Sequence, residues 1–425
     1  MIEKLFRNRF FLIISLILYR FLLDAVYINF TNPLYNYNGF KINGGFEDYL
    51  VSWIIFIIVI IPAIPLWNKD EPFLPDVIVL LLLLRFIPTT TIIAFIHQPN
   101  AFLWEITIFW LLIICLSYFI RIPRIKPLLT NSIGNKTITI SYVGVTMLIA
   151  VGVVVFISGY YAKFRLHLSL SGVYDLREES RRYNMPSLLS YLWGASSTIL
   201  PLLFIYFFSK GKKLLSYFLG FCIILNFSIN GLKSVVFSFA VCVLIYLLHR
   251  KNLKLIYTYG IIFLVIIPFI EPVLLGSNFI HNVIIRRSEF LPSILDTYYY
   301  DFYTKHSNLL HNSKVQIQFA IGQYYFNSIA MRCNNGLFSD GIINFGELGC
   351  FISPFIIIVY SKLCTKLFEY SEAALVSAFA FIFAHTIISS EFTTCLATHG
   401  LFFTTIILYL ISSHNYSLEI ITREE

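Results

Sequence analysis

The sequence predicts an all-α polytopic membrane protein with about twelve transmembrane helices. Of its 425 residues, 58% are hydrophobic and only 13% are charged, and the mean hydropathy is +0.76. Because soluble domains carry about a quarter charged residues, most of this chain is expected to lie in lipid. The composition argues against a nucleic-acid-binding protein, a cytosolic enzyme and a secreted disulfide scaffold.

Twelve apolar stretches are long enough to cross about 30 Å of hydrocarbon. They lie near residues 10–28, 49–67, 74–96, 101–120, 138–158, 188–208, 214–229, 233–249, 254–275, 343–361, 373–390 and 397–413. The seventh and eighth stretches are short and meet at Asn230 and Gly231. This junction fits either a tight helical hairpin or a broken pair.

The charges divide the chain into three regions. With the N-terminus inside, the cytoplasmic loops are short and basic, as in Lys210, Lys212 and Lys213 after the sixth span. Residues 1–275 hold the first nine spans and a basic outer loop at 159–187. Residues 276–342 form a large outer loop with short helices, and residues 343–425 hold the last three spans and a cytoplasmic C-terminus.

Two groups of charges inside the spans need partners, because each charge is expensive in lipid. Arg20 and Asp24 are four residues apart on one helical face, which predicts an internal ion pair. Arg85 lies in the middle of the third span, with Pro88 one turn later. Two interpretations stay open for Arg85: a structural partner for a carboxylate, or a wall of a substrate cavity.

The outer loop at 159–187 is rich in arginine. Arg177 and Arg181 share a face if the segment is helical, and Arg182 lies beside them. Planar guanidinium groups suit bidentate binding of phosphate oxygens. The alternative is a solvated face that is neutralised by nearby carboxylates or that contacts anionic lipid headgroups.

The large outer loop combines an aromatic stripe with acid–base groups. Phe290, Ile294, Tyr298 and Phe302 recur every four residues, which predicts a helix that packs over the bundle or lies on the membrane surface. A second helix is predicted at 314–330. The polar residues around the stripe are Arg286, Arg287, Glu289, Asp296, Asp301, Lys305, His306 and His311.

Known nucleotide and metal motifs are missing from the sequence. It has no G-x-x-x-x-G-K-[ST], no D-x-D and no H-E-x-x-H motif. An ATP-driven pump and a soluble type of sugar-nucleotide transferase are therefore disfavoured.

Two passages carry a resemblance to a known family. The stretch NNGLFSDGIINFGELGCFISPF, residues 334–355, resembles the Asn-Phe-Gly-x-x-Gly passage after the large outer loop of Wzy-type O-antigen polymerases. RRSEFLPSILDTYYYDFYTKH, residues 286–306, is similar to the arginine-rich entrance of that loop. The layout of spans and loops agrees with the family over the whole chain.

The resemblance implies a glycosyltransferase with a GT-C-like helical bundle in the bacterial inner membrane, with its active site on the periplasmic side. Such an enzyme transfers growing glycan from undecaprenyl pyrophosphate to the non-reducing end of a new lipid-linked repeat unit in lipopolysaccharide biosynthesis. The implied reaction is an inverting displacement without cofactor or metal. The implied partners are the lipid-linked oligosaccharide, membrane lipids and a chain-length regulator protein, and nucleic acid is not among them.

The resemblance also suggests roles for individual residues. Pyrophosphate binding is assigned to five arginines: Arg286, Arg287, Arg177, Arg181 and Arg182. The candidates for the base that deprotonates the acceptor hydroxyl are Asp301, His306 and Glu289. The expected substrate cavity includes Arg85, Tyr299 and Asp340. Asp340 has a second interpretation as a helix cap, and Gly346 and Gly349 are expected to permit close helix packing.

Two other functions use the same substrate. A lipid-linked oligosaccharide flippase needs a cationic cavity, and an O-antigen ligase passes the glycan to the lipid A core. A transporter usually has repeated halves with charges at the midplane, whereas the charges here gather in two unequal outer loops. The sequence does not firmly separate polymerase from ligase, and only the 334–355 passage favours the polymerase.

Overall fold

The computed structural model describes residues 9–125, 132–169, 172–310 and 316–424, and within these ranges the chain contains helices and loops but no β-strand. His311 and the first two residues of the predicted helix at 314–330 lie outside the described residues. The described part of that helix begins at Ile317 and ends at Phe326.

Seventeen helical elements follow one another along the described chain. They are α1 (Arg9–Asn38), α2 (Phe46–Asn68), α3 (Leu74–Phe95), α4 (Asn100–Phe119), α5 (Ser132–Tyr160), α6 (Val173–Arg181), α7 (Ser187–Ser209), α8 (Lys213–Asn230), α9 (Lys233–Leu248), α10 (Leu253–Leu275), α11 (281–305), α12 (Ser307–Leu310), α13 (Ile317–Phe326), α14 (Phe338–Leu367), α15 (Ala373–Ser389), α16 (Phe392–Ala397) and α17 (Leu401–Glu424).

Among the described residues, nine helices are long and apolar enough to cross a membrane. These are α1, α2, α3, α4, the 142–160 part of α5, α7, α8, α10 and α14. The predicted eighth and eleventh spans are the shorter apolar helices α9 and α15, and the twelfth overlaps α16 and α17. The prediction of an all-α polytopic membrane protein is confirmed. A count of twelve spans stays a prediction.

The chain forms two compact units, each built from separated stretches. The first unit contains residues 9–121, 252–362 and 387–392, and the second contains 122–251, 363–386 and 393–424, within the described ranges. The described part of the large outer loop therefore belongs wholly to the first unit. Its helices are packed into the core of that unit and do not form a domain of their own.

The first unit is organised around α3, which is buried along almost its whole length. A helix that is apolar on every side is stable when other helices surround it, and α1, α2 and α11 all pack against α3. In α1, Arg20 and Asp24 form the predicted ion pair. Arg20 Nε also donates to Thr90 Oγ1 of α3 at 2.8 Å, so that the charge is paired and hydrogen-bonded.

The helix α10 has clear start and stop signals. The side chain of Asn252 accepts hydrogen bonds from the backbone N–H groups of Lys254 and Leu255, as an N-cap does. Gly276 ends the helix with φ +60°, a conformation that glycine adopts without strain. The chain then folds back into α11, which begins as a π-helix (His281–Phe290) and continues as an α-helix (Leu291–Lys305).

The aromatic stripe of α11 is a packing surface. Phe290, Ile294 and Phe302 are fully buried, and the Tyr298 ring stacks on Tyr325 of α13 at 4.6 Å between ring centroids. Of the two predictions for this stripe, packing over the bundle is confirmed.

The second unit packs α5, α7, α8 and α17 against one another, with α6 resting on α8. Between α8 and α9, Gly231 takes φ +62°, and a side chain on it would meet Val173 of α6 at 2.8 Å. The turn is two residues long and the two helices pack together, so the junction is a tight hairpin.

Candidate functional site

A buried ion pair joins α3 to α11, the long helix of the large outer loop. Arg85 Nη2 donates to Asp296 Oδ1 at 2.6 Å, and both side chains are almost completely buried. Ser339 Oγ donates to the same carboxylate oxygen at 2.7 Å, and Asn335 Nδ2 donates to Ser339 Oγ at 2.8 Å. This is the first of the two interpretations left open for Arg85, because solvent does not reach the guanidinium in this structure.

Three π-helical segments lie together in the first unit, where the third contacts the other two. They are Tyr27–Thr31, Leu82–Phe86 and His281–Phe290. Thr31 Oγ1 lies 2.9 Å from His281 Nε2, and Tyr19 Oη donates to the carbonyl oxygen of Leu83 at 2.9 Å. Arg85 itself belongs to the second segment. Because π-helical turns are rare and recur at functional sites, their convergence marks this part of the first unit as a candidate site.

Glu289 lies in the third π-helical segment and is only 2% exposed. Glu289 Oε2, at 3.2 Å, and the Leu83 carbonyl oxygen, at 2.9 Å, compete for the single proton of the Tyr19 hydroxyl. Burial raises the pKa of the Glu289 carboxyl to about 8, although the hydrogen bond from Tyr19 opposes this shift. Burial therefore favours the protonated form of this carboxyl, which can accept a proton only after it ionises.

The two arginines at the start of the outer segment differ in their surroundings. The Arg286 guanidinium lies over the Tyr35 ring, 4.1 Å from its centroid, and the side chain is half-buried. Tyr35 Oη in turn donates to Asn282 Oδ1 at 2.6 Å. Burial lowers the pKa of Arg286, although the contact with Tyr35 opposes this effect. Arg287 is exposed.

Asp301 and His306 form a second cluster at the C-terminal end of α11. Asp301 Oδ2 accepts a hydrogen bond from Tyr325 Oη at 2.7 Å, and Asp301 Oδ1 pairs with Lys305 Nζ at 2.8 Å. The His306 ring lies 4.5 Å from the half-exposed Tyr324 ring. Both candidate groups are partly exposed, so this cluster offers ionisable and aromatic groups to a polar molecule at the surface.

The three candidate bases lie at two separate places along α11. Asp301 follows Glu289 by twelve residues, about 18 Å along a helix that rises 1.5 Å per residue. His306 is still further from the arginines, whereas Glu289 lies one helical turn from Arg286. The structure therefore brings Glu289 close to the arginine pair and separates Asp301 and His306 from it.

Tyr299 and Asp340 are held by contacts inside the first unit. Tyr299 is 4% exposed, its hydroxyl donates to the carbonyl oxygen of Cys333 at 2.7 Å, and burial raises the pKa of the phenol. Asp340 lies in the first turn of α14 and accepts a hydrogen bond from Asn344 Nδ2 at 2.6 Å. Its other carboxylate oxygen accepts from the backbone N–H of Phe392 at 2.9 Å. Asp340 thus caps α16, about fifty residues later, rather than the helix that follows it directly.

The glycines of the 334–355 passage permit a close backbone approach. A side chain on Gly349 would overlap the backbone carbonyl of Gly341, so the prediction of close packing is confirmed there. Gly346 takes φ +63°, and a side chain on it would meet the Tyr303 hydroxyl at 2.7 Å. The passage is a compact turn at the start of α14 that only glycine accommodates.

In the second unit, the segment with the other three arginines is helical as α6, which carries Arg177 and Arg181 and ends just before Arg182. Arg177 Nη2 donates to a backbone carbonyl oxygen at the α8–α9 turn at 3.3 Å, and Arg181 and Arg182 are exposed. Glu179 pairs with Arg165 Nη1 at 2.8 Å, and this hydrogen bond lowers the pKa of Glu179. The Glu179 carboxylate is therefore engaged by an arginine of the preceding segment.

Within the described ranges, no three His, Cys, Asp or Glu side chains are grouped as they would be around a metal ion. Comparison of the chain with protein-family models, curated proteins and solved structures gives no match. The site is therefore interpreted from its own geometry.

The partners of Arg85 are the residues that sequence reasoning did not select. Asp296 belonged to the charged residues around the aromatic stripe, and Asn335 belonged to the 334–355 passage, but neither was chosen as a site residue. The signal was Arg85 itself, because a cation in the middle of a span requires a buried acceptor. The identity of that acceptor, 211 residues away in sequence, follows only from the tertiary structure.

Proposed function

We propose that the protein is an O-antigen polymerase, a glycosyltransferase that uses an undecaprenyl-pyrophosphate-linked donor on the periplasmic face of the bacterial inner membrane. One observation carries the proposal: the two passages that resemble the polymerase family contact each other. Asp296 of the 286–306 passage accepts hydrogen bonds from Ser339 and Asn335 of the 334–355 passage.

The contact between these passages supports a shared site. Arg286 and Arg287 lie at the head of the 286–306 passage, where they are accessible to a ligand. Two adjacent guanidinium groups suit a pyrophosphate, because each binds two phosphate oxygens and stabilises the negative charge of the leaving group. We assign the donor pyrophosphate to this end of α11.

The proposed reaction is a single displacement. The acceptor hydroxyl oxygen forms a bond to the anomeric carbon of the donor while the bond from that carbon to the pyrophosphate oxygen breaks. The hydroxyl proton passes to a base, and undecaprenyl pyrophosphate leaves with the electron pair. The base acts on the acceptor oxygen that attacks the anomeric carbon, and the pyrophosphate leaves from that same carbon, so both groups must lie within a few ångströms of it.

This requirement favours Glu289 over the other two candidate bases. Glu289 lies one turn from Arg286, whereas Asp301 lies fifteen residues away, about 22 Å along the helix. Glu289 is buried and its raised pKa favours the protonated form, so its use as the base requires substrate binding to expose and ionise it. We assign Asp301 and His306 to contacts with the glycan.

The first experiment is a lipopolysaccharide gel of the host strain with the gene deleted, beside the complemented strain. The proposal expects the O-antigen ladder to collapse to core plus a single repeat unit. An intact ladder would contradict it. Complete loss of O-antigen would instead indicate the flippase or the ligase, and accumulation of lipid-linked polymer would identify the ligase.

The arginine assignment is tested in the same strain. Replacing Arg286 and Arg287 together by alanine is expected to abolish the ladder while membrane abundance stays unchanged. Arg332→Ala is the matched control, because Arg332 is an exposed arginine of the same outer segment that also lies over an aromatic ring, at 6.0 Å from Phe319. A normal ladder from the double variant would exclude the arginine pair from the site.

A further inference from the structure

An apolar groove of about 600 Å³ lies where α10 ends and the chain folds back into α11. Proteins bind drug-sized ligands in pockets of about 300–1,000 Å³, so the groove has the size of a ligand site. The side chains that shape it come from one face of α10 and from the segment before α11, and include Phe263, Ile266, Ile270, Leu274, Phe279 and Ile280.

The one charged residue among those that line the groove presents no free charge to an occupant. Glu271 Oε1 accepts hydrogen bonds from Ser277 Oγ and from the backbone N–H of Phe279, each at 2.6 Å. Glu271 Oε2 accepts from the backbone N–H of Ile280 at 2.9 Å. The carboxylate therefore holds residues 277–280 in place, and the other side chains that face the groove are mainly apolar.

The groove is open along the side of a helix that is apolar enough to span the membrane. Phe263 is 65% exposed and Leu274 is 73% exposed, although both are large apolar side chains of α10. On a transmembrane helix such side chains face the hydrocarbon. A ligand can consequently enter the groove sideways from the bilayer, and its inserted part must itself be apolar.

A series of ring contacts connects α10 beside the groove to Arg286. The Phe30 ring contacts the ring of Phe269 in α10, at 5.2 Å, and the ring of His281, at 5.9 Å. The His281 ring lies 6.0 Å from Tyr35, over which the Arg286 guanidinium is placed.

Phe30 and His281 thus connect α10 to the ring over which Arg286 lies. Ile280 of the wall precedes Arg286 by six residues, which corresponds to about 9 Å or less of helix. A ligand with an apolar chain and an anionic head can reach both at once.

We propose that this groove binds the polyprenyl chain of the lipid donor next to its pyrophosphate, which Arg286 and Arg287 hold. The inference rests on the proposed function, since that function supplies the donor. Two adjacent guanidinium groups complement the multiple charges of a pyrophosphate better than the single charge of a phospholipid phosphodiester. The groove thus contributes to donor recognition by orienting the scissile end of the lipid toward α11.

The test is photo-crosslinking of the full-length protein in nanodiscs of phosphatidylcholine. One variant carries p-benzoylphenylalanine in place of Phe279, in the groove, and the control carries it in place of Ile61, which is 60% exposed on α2. The probe is radiolabelled undecaprenyl pyrophosphate. We expect labelling at position 279 to exceed labelling at position 61 about tenfold, the ratio for 1.4 kcal/mol of selective binding. Excess unlabelled undecaprenyl pyrophosphate should abolish that difference.

Two results would overturn the inference. Equal labelling at the two positions would mean that the groove has no preference for the probe. Equal competition by phosphatidylglycerol and by undecaprenyl pyrophosphate would mean that the groove binds ordinary anionic membrane lipid. A second variant, Ile270→Trp, narrows the groove and should reduce crosslinking at position 279 to the level of position 61, whereas Ile61→Trp should leave it unchanged.

This experiment separates the inference from the proposed function, because it measures binding without sugar transfer. A collapsed ladder in the deletion strain together with equal labelling at positions 279 and 61 would leave the polymerase and remove the groove. Selective labelling together with an intact ladder would support lipid binding in the groove and contradict the polymerase function.

Discussion

The Arg85–Asp296 ion pair provides the sharpest test of how the first unit is assembled. We predict that Asp296→Ala destabilises the protein strongly, because it leaves Arg85 buried without its anion. Among the described residues, Arg85 Nε and Nη1 have no hydrogen-bond partner. The buried guanidinium therefore depends on the hydrogen bond from Nη2 to Asp296. Arginine cannot lose its proton in a protein, so the buried charge would remain.

The expected magnitudes differ between the two partners. Removing one member of a buried pair costs about 3–5 kcal/mol, and we expect Asp296→Ala to fall in this range. Arg85→Ala should cost less, about 1–3 kcal/mol, because Asp296 can take up a proton and keep its hydrogen bonds to Ser339 and Asn335. The double variant Arg85→Met, Asp296→Leu removes both charges and should lie within about 1–2 kcal/mol of the wild type.

The assay is thermal and denaturant unfolding of the purified protein in detergent, with membrane abundance as a second readout. Lys305→Ala is the control, because Lys305 pairs with Asp301 at 2.8 Å on the same helix but is 66% exposed. Exposed pairs contribute about 0–1 kcal/mol. The reasoning is refuted if Asp296→Ala costs no more than Lys305→Ala, or if the double variant loses the sum of both single variants.

Three further predictions concern other parts of the chain. Burial raises the pKa of Glu289 from 4.5 to about 8. Between these pH values the folded state binds more protons than the unfolded state, so the stability of the protein falls as the pH rises. Glu289→Gln should remove this pH dependence from melting temperatures measured between pH 5 and 9. Gly349→Ala should cost about 1–3 kcal/mol through overlap with the Gly341 carbonyl, whereas Gly152→Ala, which meets no atom within 4 Å, should not lower abundance. Arg181→Ala should weaken the O-antigen ladder without changing abundance, because the side chain is exposed, and an unaltered ladder would remove Arg181 from the site.

The candidate site could be predicted from the sequence only in part. The arginines at 286 and 287 stand out because adjacent cations before an aromatic stripe are visible in the sequence. Their separation from Asp301 and His306 was not visible, because all four lie within about twenty residues and appear as one group. Helix geometry separates them by about 20 Å, and it leaves Glu289 as the acid–base group nearest to the arginines.

The class of the protein and its local features follow from the amino-acid sequence. Hydropathy gave the membrane helices, because burial in lipid depends on composition over about twenty residues. The spacing of Arg20 and Asp24 predicted their ion pair, because the two residues lie about one helical turn apart. Asn230-Gly231 fitted either a hairpin or a broken pair, and the structure shows the hairpin.

The tertiary structure alone decided which distant groups meet. It selected Asp296 as the partner of Arg85, placed the cap of Asp340 on α16, and formed the groove beside α10. These contacts join segments that are separated by many helices in the sequence. Local periodicity contains no information about them, because packing among whole helices decides which side chains a buried charge or an apolar face will meet.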